Sequence, residues 1–221
     1  VSQTPRQFKD AVYGQLGRIG KALSSPRRLE LIDVLSQGER TVEELAGLTG
    51  QSLANTSHHL KILREARLVE STKRGLYVHC RLGGRDVGAL WRSLRQLGEA
   101  RLAEIEVLKR DFLADRGQLD RVDADELVRR VADGQALVLD VRPAEEFESS
   151  HLPGAQSMPL DELEQRIDEL PRDQQIVAYC RGPYCVFAVE AVALLREKGF
   201  EAVRLEDGVA EWAARGLEVA R

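Results

Sequence analysis

Through the first hundred residues the apolar positions repeat at helical spacing. Phe8, Val12, Leu16, Ile19 and Leu23 recur at intervals of four, four, three and four, which predicts one face of an amphipathic helix. Ser25-Pro26 supplies a cap and a first-turn proline for a second helix carrying Leu29, Ile32 and Leu35 and ending near Gly38. Thr41-Val42-Glu43-Glu44 has the form of a capping box ahead of a short third helix with Leu45 and Leu48. Thr49-Gly50-Gln51 makes a turn, and Ser52 caps a fourth helix whose predicted apolar face is Leu53, Thr56, Leu60 and Leu63. The period then drops to two. Leu68–Ser71 and Leu76–Leu82 flank Thr72-Lys73-Arg74-Gly75, predicting a β-hairpin with a basic tip. From Arg85 to Leu113 the helical period returns, with Val87, Leu90, Leu94, Leu97, Ile105, Leu108 and Phe112 close to a heptad seam. Such a stripe predicts one long helix that buries against a partner copy.

A polar break, Ala114-Asp115-Arg116-Gly117-Gln118, divides this half from one of different rhythm. Short apolar runs at 136–141, 176–179 and 202–205 read as strands. Helical stretches at 123–131, 143–147, 160–170 and 186–196, and one around Trp212, alternate with them. Alternation of this kind predicts an α/β fold with a parallel sheet. The expected organisation is therefore two domains: a mainly α unit over 1–113, a linker at 114–118, and an α/β unit over 119–221.

Composition sharpens the division. Up to Gln118 there are 20 Lys and Arg against 14 Asp and Glu, a net +6; beyond it 12 face 22, a net −10, together the −4 of the 221-residue chain. A basic half joined to an acidic half suggests a polyanionic partner for the first and not for the second. Three cysteines are too few for a disulfide framework. With no signal peptide and no apolar run near membrane-spanning length, the expectation is a cytoplasmic protein with reduced thiols and no membrane partner.

Two short helices joined by a glycine-containing turn form a helix-turn-helix, whose second helix lies in the major groove of DNA. Its outward residues, Asn55, Ser57, His58 and Lys61, suit base edges and phosphates. The following hairpin reads as a wing, with Lys73 and Arg74 at its tip gripping backbone phosphate. Ser57-His58-His59-Leu60-Lys61-Ile62-Leu63-Arg64-Glu65-Ala66-Arg67-Leu68-Val69, with Leu23–Leu29 and the wing, resembles the ArsR/SmtB family of winged-helix repressors over roughly residues 5 to 113. The resemblance implies a homodimer that holds a double-stranded operator and releases it when an inducer binds. It departs from the family at the sensor. Glu44-Leu45-Ala46-Gly47-Leu48 has no Cys-x-Cys, and the last helix has no His or Cys, so no metal site is expected. Cys80 shares parity with Leu76, Val78 and Leu82, the predicted inward face of the wing, where it serves as a small hydrophobe.

The chemistry of the second half concentrates at Tyr179-Cys180-Arg181-Gly182-Pro183-Tyr184-Cys185, between a predicted strand and a predicted helix. A cysteine on a tight loop opening onto a helix N-terminus meets unpaired amides and the positive helix end, which favour thiolate. Ligands of parallel sheets bind beyond the carboxyl ends of strands, where Cys180 lies. Leu139-Asp140-Val141-Arg142, Glu145, Phe147, His151-Leu152-Pro153-Gly154-Ala155, this loop, and Leu205–Gly208 with Trp212 resemble a single-domain rhodanese over roughly Leu119 to Val219. By that likeness Cys180 carries a persulfide, and the amides of Arg181, Gly182, Tyr184, Cys185 and Val186 cradle it. Arg181 attracts an anionic donor, and Asp140 and Arg142 are structural. Cys185 stands where the commoner loop has Arg or Thr, and Val186 where phosphatase-like relatives have Arg, which argues against phosphate chemistry. Cys185 can pair with Cys180, share a soft ion with it, or cap the helix.

The function expected is a DNA-binding regulator, a repressor, whose Cys180 senses or transfers sulfane sulfur from a small donor such as thiosulfate or polysulfide, with no cofactor. Two alternatives remain open: a sulfurtransferase that uses the winged helix for localisation, and an arsenite or soft-metal sensor using Cys180 and Cys185.

Overall fold

The computed structural model describes residues 4–114, 121–122 and 124–221. The chain forms two compact units, Val1–Ala100 and Arg101–Arg221. The division falls ahead of the predicted linker, whose residues 115–118 lie outside the described residues.

In the first unit α1 (Pro5–Leu23), α2 (Pro26–Ser36), α3 (Val42–Leu48) and α4 (Leu53–Glu65) precede a hairpin, and α5 (Arg85–Arg101) follows it. The predicted capping box on α3 forms: Thr41 Oγ1 accepts from the Glu44 amide at 3.2 Å, and Glu44 reaches back to the Thr41 amide. Ser52 caps α4 through the Asn55 amide at 3.3 Å. Ser25 begins α2 without a side-chain cap, so only its carbonyl serves the first turn. The hairpin pairs β2 (Val69–Arg74) with β3 (Tyr77–Leu82), and a third strand, β1 (Arg40–Thr41), pairs with the far edge of β3. Leu31, Ile32, Leu35, Leu45, Leu60 and Leu63 form the core, closed by Trp91 of α5, whose indole donates to Asp33 at 2.7 Å. Cys80 is buried here as expected, with Ser71 Oγ 3.3 Å from its sulfur.

Three expectations fail locally. Leu53 is exposed at the first position of α4, and Leu76 is exposed because it sits in the hairpin turn rather than on the inward face. The predicted helix from Arg85 to Leu113 breaks at Leu102 into α5 and α6 (Ala103–Ala114), and α6 packs with the second unit.

After α6 the second unit carries β4 (Arg121–Val122), α7 (Ala124–Ala132), β5 (Ala136–Asp140), α8 (Ala144–Ser149) and β6 (Gln156–Ser157). Then come α9 (Leu160–Arg166), β7 (Gln175–Tyr179), α10 (Phe187–Glu197), β8 (Ala202–Leu205) and α11 (Val209–Ala214). The strands make a five-stranded parallel sheet in the order β4-β8-β7-β5-β6. Period-two alternation sends Leu139, Ile176 and Ala178 to one face, under α9, α10 and Leu113 of α6. It sends Val138, Val177 and Tyr179 to the other, with Leu127 of α7 and Trp212 of α11. Both faces are covered, as a parallel sheet requires. The carboxyl end of central strand β7 thus opens directly into the Cys180 loop.

Candidate functional site

The loop from Cys180 to Val186 is fixed from below by buried charge. Tyr179 is fully buried; its hydroxyl donates to Asp140 and accepts from the Leu152 amide at 3.1 Å. Asp140 is gripped by Arg142, whose Nε and Nη2 lie 2.9 and 2.6 Å from its two oxygens. Nη2 of Arg142 also donates to the Ser150 carbonyl at 2.8 Å. Glu146 stands between two arginines: Arg142 Nη1 is 3.9 Å away, while Arg181 Nε and Nη2 bind it at 3.0 and 2.6 Å. A bidentate, buried pair of this kind fixes direction as well as charge. Asp140 and Arg142 are thus committed to each other, to Tyr179 and to the Ser150 carbonyl.

Arg181 is the residue whose role changes most. A side chain expected to reach for an anionic donor is instead committed to Glu146 and lies over the Phe187 ring, 5.0 Å from its centroid. Its backbone amide turns toward Cys185. Burial disfavours the Arg181 charge, but the bonds to Glu146 outweigh this and hold its pKa above the ordinary value.

Two glycines let the loop take its shape. Gly182 has φ +139°, and a Cβ there would come within 3.1 Å of the Glu211 carboxylate. Gly208, after β8, lies so close to the Cys180–Arg181 peptide that a Cβ would sit 2.5 Å from the Arg181 carbonyl oxygen and 2.9 Å from that of Cys180. Glu211 accepts from the Gly208 amide at 3.1 Å, so the start of α11 is fastened beneath the loop.

The two sulfurs meet inside this frame. Cys180 is 2% exposed and Cys185 is half-buried; neither is in a disulfide, and each thiol shifts the ionisation of the other. Hydrogen bonding from the amides of Gly182 and Ala188 favours the Cys180 thiolate, and from those of Arg181 and Phe187 the Cys185 thiolate. Gly182 and Arg181 belong to the expected cradle. The Cys185 amide is spent on the Gly182 carbonyl at 3.1 Å, and the first-turn amides of α10 take part instead. Tyr184 is exposed and Val186 is the residue before α10.

Charge is distributed between the sulfurs unequally. Burial, then the neighbouring Cys185, push the Cys180 thiol well above the usual cysteine range. The bond from Cys180, two amides and the Arg181 charge pull Cys185 down to about 7 against the cost of burial. The pair shares one proton, so the first ionisation is easy and the second is resisted. The direction is plain: ionisation is favoured at Cys185, beside the Arg181 charge, and opposed at the deeper Cys180.

In the first unit the outward face of α4 carries Asn55, Ser57, His58 and Lys61, all exposed. Lys73 is exposed at the wing, whereas Arg74 is held bidentately by Glu39, which also lies 3.3 Å from His79 Nδ1. Sequence reasoning missed Glu39, Glu146 and the Phe187 and Ala188 amides, and it named Gly208 only as part of a motif, without its contact to the loop. Only the amides carried a signal, since any helix leaves its first four N–H groups unpaired. No group of three or more His, Cys, Asp or Glu positioned for a metal ion occurs among the described residues, and no helix among them is long and apolar enough to cross a membrane.

Comparison with known proteins agrees with both halves. The family model for bacterial regulatory proteins of the arsR family matches residues 25–71, and that for rhodanese-like domains matches residues 123–215. The HTH-type transcriptional regulator Rv0324 of Mycobacterium tuberculosis is 42% identical over 96% of this chain and 92% of its own length. A sulfurtransferase of Allochromatium vinosum is 30% identical over 46% of this chain and 94% of its own. A solved homodimeric winged helix-turn-helix DNA-binding domain from Mycobacterium bovis is 37% identical, with a TM-score of 0.43, over 46% of this chain and 93% of that one. The chain belongs to the ArsR family of HTH-type transcriptional regulators and carries a rhodanese-like domain fused behind its DNA-binding domain.

Proposed function

We propose that this regulator is a repressor whose grip on DNA is set by sulfane sulfur on Cys180. The observation that carries the reading is a pair of reduced cysteines, Cys180 buried and Cys185 half-buried, on a loop between the carboxyl end of β7 and the first turn of α10, within a chain that also has a winged helix. The chemistry is a displacement at sulfur. As Cys180 attacks the outer sulfur of thiosulfate, its proton passes to the Cys185 thiolate, the new S–S bond forms, and sulfite leaves with the electron pair of the broken bond. A polysulfide reacts likewise, losing the shortened polysulfide. Cys185 then has a second role. It returns its proton to the outer sulfur of the Cys180 persulfide, and the resulting Cys185 thiolate attacks the Cys180 sulfur, forming the disulfide as the S–S bond of the persulfide breaks and hydrosulfide leaves, with no external oxidant. This path requires reduced thiols at rest, in keeping with a cytoplasmic protein.

The DNA-binding form is a homodimer on this reading. Phe8, Tyr13 and Leu16 of α1 are 57, 70 and 60% exposed, and Leu90 and Leu97 of α5 are 43 and 56% exposed. Apolar side chains so concentrated on two helices favour burial against a second copy. Asn55, Ser57, His58 and Lys61 then read the major groove, with Lys73 on phosphate.

The test is affinity for a duplex selected by the reduced protein from a random-sequence pool, measured with and without polysulfide alongside mass spectrometry of Cys180. Wild type releases the duplex as Cys180 gains sulfur, and Cys180→Ser does not. Equal release by Cys180→Ser removes Cys180 from the switch. Steady thiosulfate turnover with DNA binding unaffected by sulfur favours the sulfurtransferase alternative.

A further inference from the structure

A short run of charged contacts ties the Cys180 loop to α6. Arg204, at the end of β8 and almost fully buried, donates Nη1 to the Pro183 carbonyl of the loop at 3.4 Å. Its Nη2 lies 3.9 Å from Glu206 Oε1, and that oxygen lies 3.0 Å from Lys109 Nζ of α6. Glu106, one turn earlier on α6, approaches the same ammonium at 3.2 Å. The Lys109 side chain is only 14% exposed. Burial disfavours its charge, but hydrogen bonds to Glu206 and Glu106 outweigh this and hold its pKa above that of an ordinary lysine.

Two further contacts bind the same parts. Gly208, two residues past Glu206, is pressed against the Cys180–Arg181 peptide, so the β8–α11 connection cannot stay still if that peptide moves. Leu113 of α6 belongs to the same apolar cluster as Cys180, with Phe112 packed against it. In sequence only Leu102 separates α6 from α5, which carries the exposed Leu90 and Leu97.

We propose that Lys109 is the positioning residue through which the sulfur state of the Cys180 loop reaches the DNA-binding unit. The proposal rests on the reading of Cys180 and Cys185 as the sulfur-accepting pair. Cys180 has almost no free surface, and a close-packed interior does not absorb an added sulfur atom or a new S–S bond without backbone movement. The loop shifts, Pro183 and the Gly208 contact carry Arg204 and Glu206 with it, and the Lys109 pairing is lost. With its ammonium unpaired, α6 detaches from the sheet and the change passes along the backbone to α5. The two-state element is α6, docked or released.

Full-length Lys109→Met keeps the aliphatic stem and loses the charge. It is expected to take up sulfur on Cys180 from polysulfide as wild type does, and to bind the pool-selected duplex within about twofold of wild type when reduced. Its sulfur-driven change in affinity, of a size coupled sites usually show (about 5–150-fold), falls below about twofold. Lys109→Arg restores the change. Hydrogen exchange on unmutated protein guards against a misfolded variant: α6 amides exchange faster once Cys180 is loaded. Full switching in Lys109→Met, or α6 exchange that ignores loading in wild type, overturns the proposal. Failure of the underlying sulfur reading looks different, because wild type and variant alike then leave Cys180 unmodified, and the coupling falls with it.

Discussion

Replacing Cys185 by alanine separates the two contributions to the reactivity of Cys180. In the intact pair the first proton is lost near pH 7, because Cys180 donates to the Cys185 thiolate and amides and the Arg181 charge stabilise it. About half of the molecules therefore hold the anion at pH 7. Without Cys185 the neighbouring sulfur no longer raises Cys180, but burial, the larger cause of its raised pKa, remains. The lone thiol then titrates at or above the usual cysteine value of about 8.5, which leaves about 3% or less ionised at pH 7. The rate of sulfur uptake from thiosulfate, read as sulfite release in a single turnover, is expected to drop about 15-fold or more at pH 7. The sign of the pH dependence is fixed as well. Lowering the pH through 7 extinguishes the wild-type rate, whereas the variant rate keeps rising above pH 8 and narrows the gap. Alkylation of Cys180 by iodoacetamide across pH 5–10 gives the same profile without a sulfur donor. A Cys185→Ala profile that keeps its midpoint near 7 would refute the shared-proton account and return the ionisation to the Cys180 amides alone.

The supporting frame yields further tests. Glu146→Gln leaves Arg142 and Arg181 buried without their shared anion and is expected to cost about 3–5 kcal/mol in the second unit, read by thermal or urea unfolding; a loss under about 1 kcal/mol denies Glu146 its anchoring part. Gly208→Ala places a methyl against the Arg181 carbonyl and is expected to abolish sulfur uptake while DNA binding by the reduced protein is kept; ordinary uptake would mean the loop moves aside at little cost. Lys73→Ala should lower the salt-dependence slope of DNA binding by about one, whereas Arg74→Ala should lower it less because Glu39 already holds that guanidinium. Equal slopes for the two variants contradict the Glu39 restraint.

How much of this was legible in the sequence follows from the range over which each feature is determined. Both halves could be recognised because their motifs are local: the Thr41 box, the α4 pattern and the Cys180 loop each lie within a few consecutive residues. β1, β4 and β6 escaped notice because two residues cannot display a period. The break at Leu102 has no Gly or Pro to announce it; it arises where α6 turns its Leu113 end into the core of the second unit. Leu76 faces solvent because the hairpin turn resets the alternation from which its inward place is expected.

The site itself divides along the same line. Which sulfurs share the loop was visible, since two cysteines five positions apart in a strand-to-helix loop are a local fact. Where the proton resides was not, because that depends on Phe187 and Ala188 amides, the depth of Cys180 and the posture of Arg181. Arg181 is the instructive case. Sequence assigned its charge to a substrate because the residue adjoins the nucleophile. Glu146, thirty-five positions away and one of three glutamates within four residues of α8, claims it instead. The guanidinium lends its field to Cys185 while its geometry is spent on holding the loop. Such a loop reacts as a unit, because the groups that ionise the sulfur also anchor its backbone. On the proposed reading, sulfur uptake and loop displacement are for that reason one event.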